Sequence, residues 1–572
     1  VHATRLEPIA WRDIAWLTLA LLLLIASGYG MRDPWPADEP RFASLARDMA
    51  TTGEWLFPRV GGDLYQDKPP VFFWLLALSY SLVGTVRWSF LLPSLLAAAG
   101  TVFLLYDLGR RLVDRRAGLI AALGVMCTLQ FLLVMRGAQI DGTLCFLVTL
   151  SLYGLVRHLL LGPAWGWYGI AGLAAGVGVI TKGVGFLPLL LLLPFFWLRR
   201  AGWRGLADAP GGGVRWWLAP AGFLLGVSVW LVPMLWTVAA SGSPEYVAYR
   251  DEILLQQTVT RYAQAWHHNR AWYYFFVEVI PLLWLPWSVA LFWLVPRWAH
   301  AWRERDARVW LPLSWVLLVL LFFTASTGKR GVYILPALPG LAIAAMPFVA
   351  DIAARRGFQR AMLVIGGLLL VGGLLVLGGH VIGTPQVREM LVDANLPSIA
   401  PVIVFVVLCA AALLLAARFA PAAGWGAALA ALAVVWGYGV APHMNAQRSG
   451  SGFMREMLSR VPQGQTLGMI AYKEQFLLHT DRPTVNFGHR RWREGPQEHF
   501  DASAWLNAAP GRVLLVPLVA LEPCFTTAAS KIVAGDTTRE SWLIVGPPAS
   551  AECARQGDAG RAIVYSHPVD PY

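Results

Sequence analysis

The chain has 572 residues, of which 57% are hydrophobic and only 14% charged, with 28 Trp and a mean hydropathy of +0.54. This balance lies outside the range of water-soluble globular chains and inside that of polytopic membrane proteins. The net charge of +12 does not point to nucleic acid, because most of the Arg stands in short clusters flanking apolar runs, where orientation in a bilayer accounts for it.

A membrane span needs about 20 apolar residues. Runs approaching that length cover residues 11–30, 88–108, 117–135, 140–161, 165–181, 184–199, 215–240, 271–297, 308–325, 331–350, 361–382, 399–418 and 422–440, about thirteen predicted spans. The first lacks a small-residue cleavage site and leads directly into a polar loop, so it is expected to be retained. Val71 to Val83 is too short to cross and is predicted to be an interfacial helix. With that segment left on the surface, Arg5/Arg12, Arg110 to Arg116, Arg157, Arg199 to Arg215, Arg297 to Arg308, Arg355 to Arg360 and Arg418 all fall on one side. The positive-inside rule makes that side the cytoplasm. If Val71 to Val83 crossed, the bias would cancel.

From His443 onward the apolar runs end and Asp, Glu, Gln, Asn and Pro return. The expected architecture is an all-α polytopic membrane domain over 1–442, with extracytoplasmic loops 31–87 and 241–270, followed by a soluble α/β domain over 443–572. In the latter, Thr466 to Ala471, Arg512 to Pro517 and Ser541 to Val545 read as buried strands, and Gly452 to Arg460 and Glu498 to Asn507 as helices. No phosphate-cradling glycine loop or metal-ligand spacing stands out there. Cys127, Cys145 and Cys409 lie in apolar runs and read as core. Cys524 and Cys553 become a disulfide pair if the C-terminal portion is extracytoplasmic.

The charges that need explaining lie at the opposite span ends. Asp38 and Glu39 follow the first span, with Arg41 three residues beyond Asp38, and Asp141 opens a later span on the same side. Each acid could be a helix cap, but two on one face with cations nearby suit a site. Lys68, in Tyr65-Gln-Asp-Lys-Pro-Pro, is either a snorkelling anchor or a phosphate ligand, and Lys182 and Lys329 pose the same choice. Arg261 and Arg270 flank an amphipathic stretch. Separated basic sites on one outer face suit a lipid phosphate or pyrophosphate. A divalent metal between Asp67 and His267 is carried as the weaker alternative to ordinary interface residues, since no ligand-spacing rule is met; no cofactor is otherwise expected.

The order of DEPRFASLARDM from Asp38, KPPVFFWL from Lys68, LPSLLAAAGTVFLLYDLGRRL from Leu92, the span-initial Asp141, Thr-Lys-Gly at 181–183 and GKRGVYILPALPG from Gly328 resembles the polyprenyl-phosphate-sugar glycosyltransferases of the GT-C class. Within that class the chain is most similar to the bacterial lipid A aminoarabinose transferases and secondly to the protein O-mannosyltransferases. The resemblance implies a sugar carried on undecaprenyl phosphate and transferred with inversion at the outer face of the bacterial inner membrane. Asp38 and Asp141 would be the catalytic acids and Lys68 the lysine near the carrier phosphate. Tyr65, Arg41, Glu39, Arg261, Tyr333, Lys329 and Lys182 would contact carrier or substrate. Where the family often has tyrosine after the Arg of this motif, the chain has Phe42, so no hydroxyl acts there. The implied donor sugar is 4-amino-4-deoxy-L-arabinose and the implied acceptor a lipid A phosphate. The alternatives are a mannose-type transferase acting on protein or another glycan, and a lipid or solute transporter. The transporter is disfavoured because no repeat is present and the charges sit at one set of span ends. A monomer in the bilayer is expected.

Overall fold

The computed structural model describes residues 7–208, 213–254, 269–489, 495–528, 530–537 and 540–567. The chain divides into two compact units, one of Val1–Tyr29, Asp67–Phe72 and Leu91–Val440, the other of Gly30–Gln66, Phe73–Phe90 and Ala441–Tyr572.

The first unit is helical. Among the described residues nine helices of the chain are long and apolar enough to cross a membrane, and two bent pairs bring the number to eleven. The pairs are Arg115–Met126 with Leu129–Met135, bent by 67°, and Phe275–Leu283 with Trp287–Arg303, bent by 108° at a break that contains Pro286. Two more of the predicted segments form shorter helices, Trp11–Leu24 and Trp165–Val179. The first ends early because the chain turns through Gly28 and Gly30, at φ +77° and +75°. A Cβ on Gly28 would stand 2.4 Å from the Cα of Gly437, so only glycine fits that turn. Trp165–Val179 packs against Leu218–Ser241 through small residues: a Cβ on Gly172 would lie 2.0 Å from the Ala219 carbonyl oxygen. Backbone contact of this kind is how helices associate where lipid supplies no hydrophobic driving force. Arg356–Ile382 and Ala400–Phe419 are only 17% buried over their apolar windows, as lipid-facing helices should be.

Polar contacts show which helix ends share a side of this unit. Asp13 meets Tyr106 and Arg115 at 2.8 Å, Asp107 meets Arg110, Arg111 and Tyr153, the Ala207 amide bonds the Leu159 carbonyl, and Arg204 pairs with Glu304. The ends that carry Arg110 to Arg115, Arg204 and Glu304 are therefore tied to one another and to the helices beside them. At the other ends, Arg136 donates to the carbonyls of Leu24, Ser27 and Ala433, and Ser94 to that of Gly137.

The second unit holds helix α1 (Glu39–Thr52), most of the predicted interfacial helix α2 (Val71–Val83), and a six-stranded sheet with its helices. Helices α3 (Ser451–Ser459) and α4 (Glu474–Leu478) flank strands β1 (Thr466–Met469), β2 (Thr484–Asn486), β3 (Arg512–Pro517), β4 (Lys531–Thr537), β5 (Glu540–Val545) and β6 (Ile563–Tyr565). The strand order is β4-β5-β3-β1-β2-β6. β1 runs parallel to β2 and β3, and the other neighbours are antiparallel. Leu514 and Val516 enter one apolar cluster with Trp505 and Phe487, while Val513 and Leu515 enter another with Met457 and Trp542. A central strand covered on both faces explains why Arg512 to Pro517 reads as an unbroken apolar run. The three predicted strands and two predicted helices are present, while β2, β4 and β6 were not predicted. Cys524 and Cys553 form a disulfide with Cα atoms 5.6 Å apart.

Candidate active site

Asp38 stands at the N-cap of α1 with φ −102° and ψ −31°, and its side chain makes no capping hydrogen bond. Pro40 at the second helical position starts the helix, and Gly53 at φ +75° ends it by bonding the Met49 carbonyl. The Asp38 carboxylate, 30% exposed, lies 3.9 Å from Arg41, whose Nε donates to Glu474 at 2.8 Å. Burial works against the charge on Arg41, but the Glu474 carboxylate and the Tyr65 phenol outweigh it and raise its pKa above the usual guanidinium value. Tyr65 is buried, edge-on to Phe73 at 5.7 Å and to His489 at 6.2 Å. The His489 amide bonds Asp63 at 2.7 Å. Arg41, Tyr65, Glu474 and His489 thus form one polar group beside Asp38. Glu474 and His489 carry no spacing or motif that singles them out in the sequence; they reach this place only because α4 and the chain after β2 pack beside α1. Glu39 is buried and accepts from the Arg32 guanidinium at 2.8 Å and the Trp35 amide at 2.8 Å, so it braces the turn before α1.

In the membrane unit, Asp141 lies in the first turn of Ile140–Leu161, where the helix dipole favours an anion. Lys182 Nζ is 2.5 Å from its Oδ1, and the two side chains are 17% and 11% exposed. The same ammonium sits 4.8 Å from the centre of the Tyr333 ring. The turn carrying Tyr333 is fixed by Gln130, which donates to the Gly331 carbonyl at 2.6 Å and accepts from Trp284 Nε1 at 2.8 Å. Lys329 is buried, with Nζ donating to the carbonyls of Arg270 and Ser326. Three predicted residues, Asp141, Lys182 and Tyr333, therefore meet, whereas Lys329 is occupied in holding backbone. Lys68 and Asp67 are half-buried, before the prolines that start α2. Arg261 and His267 lie outside the described residues. Among the described residues no three His, Cys, Asp or Glu side chains converge.

The helical membrane unit and the small mixed-sheet unit, each with an acid at a helix start beside a cation, are the elements that the sequence resemblance to the GT-C glycosyltransferases implies. Residues 67–232 match the dolichyl-phosphate-mannose-protein mannosyltransferase family. The particular fold is that of ArnT from Cupriavidus metallidurans, solved bound to undecaprenyl phosphate: the TM-score is 0.70 at 20% identity, over 94% of this chain and 100% of that one. The chain is also 32% identical over 339 residues to the undecaprenyl phosphate-alpha-4-amino-4-deoxy-L-arabinose arabinosyl transferase of Pseudomonas aeruginosa, and 33% identical over 342 residues to one of two such enzymes of Pseudomonas fluorescens. These alignments take in 56% of this chain and 58% of each relative, so the chain spans a little over half the length of the curated relatives it matches.

Proposed function

We propose that this chain is an integral membrane glycosyltransferase that moves 4-amino-4-deoxy-L-arabinose from undecaprenyl phosphate to a phosphate of lipid A at the periplasmic face of the inner membrane. The observation that carries this reading is similarity to the aminoarabinose transferases, at 32% identity in sequence and a TM-score of 0.70 in fold. The bias of Arg toward one set of span ends in the sequence supports a cytoplasmic side for them. The disulfide between Cys524 and Cys553 suits an oxidising periplasm.

On this reading the leaving polyprenyl phosphate needs no proton, because Lys68 and neighbouring cations and phenols stabilise its charge. Asp38, in the sheet-bearing unit, and Asp141, in the membrane unit, are the two acids assigned to the chemistry. An ionised acceptor phosphate requires little base catalysis, so Asp38 orients the sugar or offsets positive charge developing at its anomeric carbon. Arg41, tied to Glu474, keeps Asp38 in an ionic environment. The Asp141–Lys182 pair holds an ammonium whose other N–H groups can face a phosphate oxygen.

The match of 67–232 to a protein mannosyltransferase family favours a second reading, in which a hydroxyl is the acceptor and Asp38 takes its proton. One assay separates the two: purified protein is given undecaprenyl-phosphate-linked aminoarabinose or mannose, with lipid A or a Ser/Thr peptide, and products are read by mass spectrometry. Aminoarabinose on lipid A, with a rate insensitive to pH across the carboxylate range, is expected. Transfer to peptide, or unmodified lipid A, would reject the first reading.

A further inference from the structure

The second unit contains a groove of about 710 Å³ that shares no residue with the sets around Asp38 and Asp141. One wall is a face of α3, where Ser451, Arg455 and Ser459 recur at intervals of four and so point the same way. Arg87, His479 and Arg482 line the rest, together with the carboxylates Asp33 and Asp481. Both carboxylates are already engaged. Asp33 accepts from Arg87 Nε at 2.7 Å and from Asn445 at 2.8 Å, and Asp481 from Arg482 at 2.7 Å. Arg482 also donates to the carbonyls of Val461 and Pro462. Arg455 is different: it is exposed and has no hydrogen bond or ion pair with a described residue. The lining therefore carries three guanidiniums against two carboxylates, and the cation left over faces the space.

A second observation indicates what the groove meets. Arg87 follows α2 by four residues, and α2 leaves an apolar stripe uncovered: Leu75, Leu78 and Leu82 are 37%, 52% and 75% exposed, at spacings of three and four. Trp88, beside Arg87, is 44% exposed. An apolar helical stripe bordered by an amphipathic Trp and an Arg is the composition of a segment lying at the level of lipid headgroups. Within this unit the groove thus opens beside an element built for that level.

We propose that the groove seats the phosphate of a membrane lipid whose headgroup is net anionic, with Arg455 as direct ligand and Arg87 at the rim. Guanidinium groups match phosphate oxygens in pairs of parallel hydrogen bonds, and the hydroxyls of Ser451 and Ser459 supply shorter-range donors on the same wall. The site does not depend on which sugar the chain transfers.

The test is native mass spectrometry of the full chain in detergent with phosphatidic acid, phosphatidylcholine or inorganic phosphate. Because a carrier-phosphate site also takes anionic lipid, the readout is the Arg455-sensitive fraction. Arg455→Ala is expected to lower phosphatidic acid retention about fivefold, the scale of one exposed charge pair, and to leave phosphatidylcholine unchanged. Arg460→Ala, which removes the same charge from the end of the same helix but outside the groove, is expected to change nothing. Equal retention by wild type and Arg455→Ala, or equal losses in both variants, would overturn the proposal. Inorganic phosphate competing as well as phosphatidic acid would reassign the groove to soluble phosphates and overturn the lipid source.

Discussion

At the scale of single residues, the pair Asp141–Lys182 differs from a surface ion pair because both partners are largely withdrawn from solvent. Removing one partner strands a buried charge, whereas removing both removes the problem. Lys182→Met is expected to cost about 3 kcal/mol of stability, and the double variant Lys182→Met with Asp141→Leu to recover most of it, as read by thermal unfolding in detergent. If the single and double variants unfold alike, the pair contributes only as two independent side chains. Asp38 makes a contrasting case, since its carboxylate caps nothing. Asp38→Asn should therefore leave the unfolding temperature within a degree or so, of the order of a surface change, while lowering transfer roughly a hundredfold with the carrier still bound. Loss of stability without a specific loss of turnover would return Asp38 to a structural role.

At the scale of elements, α1 is tied to the sheet unit along its length. Arg41 pairs with Glu474 at the start of α4, Arg47 donates to the Leu477 carbonyl near its end at 3.0 Å, and Asp48 accepts from the Tyr565 hydroxyl of β6 at 2.8 Å. Arg47 is fully buried, satisfying carbonyls that a helix end leaves without partners. These contacts set opposing pH dependences. Burial pushes the Asp48 carboxyl up to about 7, against the pull of Arg47 and Tyr565. Its contribution to stability is thus complete below the ordinary carboxyl value of 3.8 and is lost as pH rises to about 7. Burial pushes the His479 imidazole down to about 4, so its contribution is complete above 6.5 and is lost as pH falls toward 4. Between those limits the two slopes, at most about 1.4 kcal/mol per pH unit each, offset one another. Asp48→Asn should leave a protein that weakens on acidification from pH 6.5, and His479→Gln one that strengthens on acidification from pH 7. Thermal unfolding of both variants across that range checks the assignment, and parallel curves would refute it.

At the scale of the whole molecule, the disulfide closes a separation of 29 residues. A loop of that size stabilises by about 3–4 kcal/mol in the chain-entropy account. Cys524→Ser with Cys553→Ser should lower stability by that amount, and in the native chain these two thiols should alkylate only after reduction. Sidedness has its own test. A cysteine placed at Thr52, exposed at the end of α1, should react with a membrane-impermeant maleimide from the periplasm, and one at Arg116 only after permeabilisation. The reverse pattern would move the proposed site to the cytoplasm.

The sequence by itself determined the number and order of the apolar helices, the shortness of α2, the bias of Arg toward one set of span ends, and the α/β character after His443. All of these follow from hydropathy, length and charge placement, which act locally along the chain. It also picked out Asp141, Lys182 and Tyr333 one at a time. That the three converge was decided by the packing of three separate helix ends, and that Lys329 binds carbonyls by the fold of its own turn. The short strands β2, β4 and β6 were illegible because pairing, not propensity, makes them strands. Only tertiary structure joined Gly30–Gln66 to the C-terminal unit, through contacts such as Arg41 to Glu474, 433 positions apart. A side chain buried by a partner that distant leaves no periodic signal near itself, which is why Glu474 and His489 became visible only when the chain was folded.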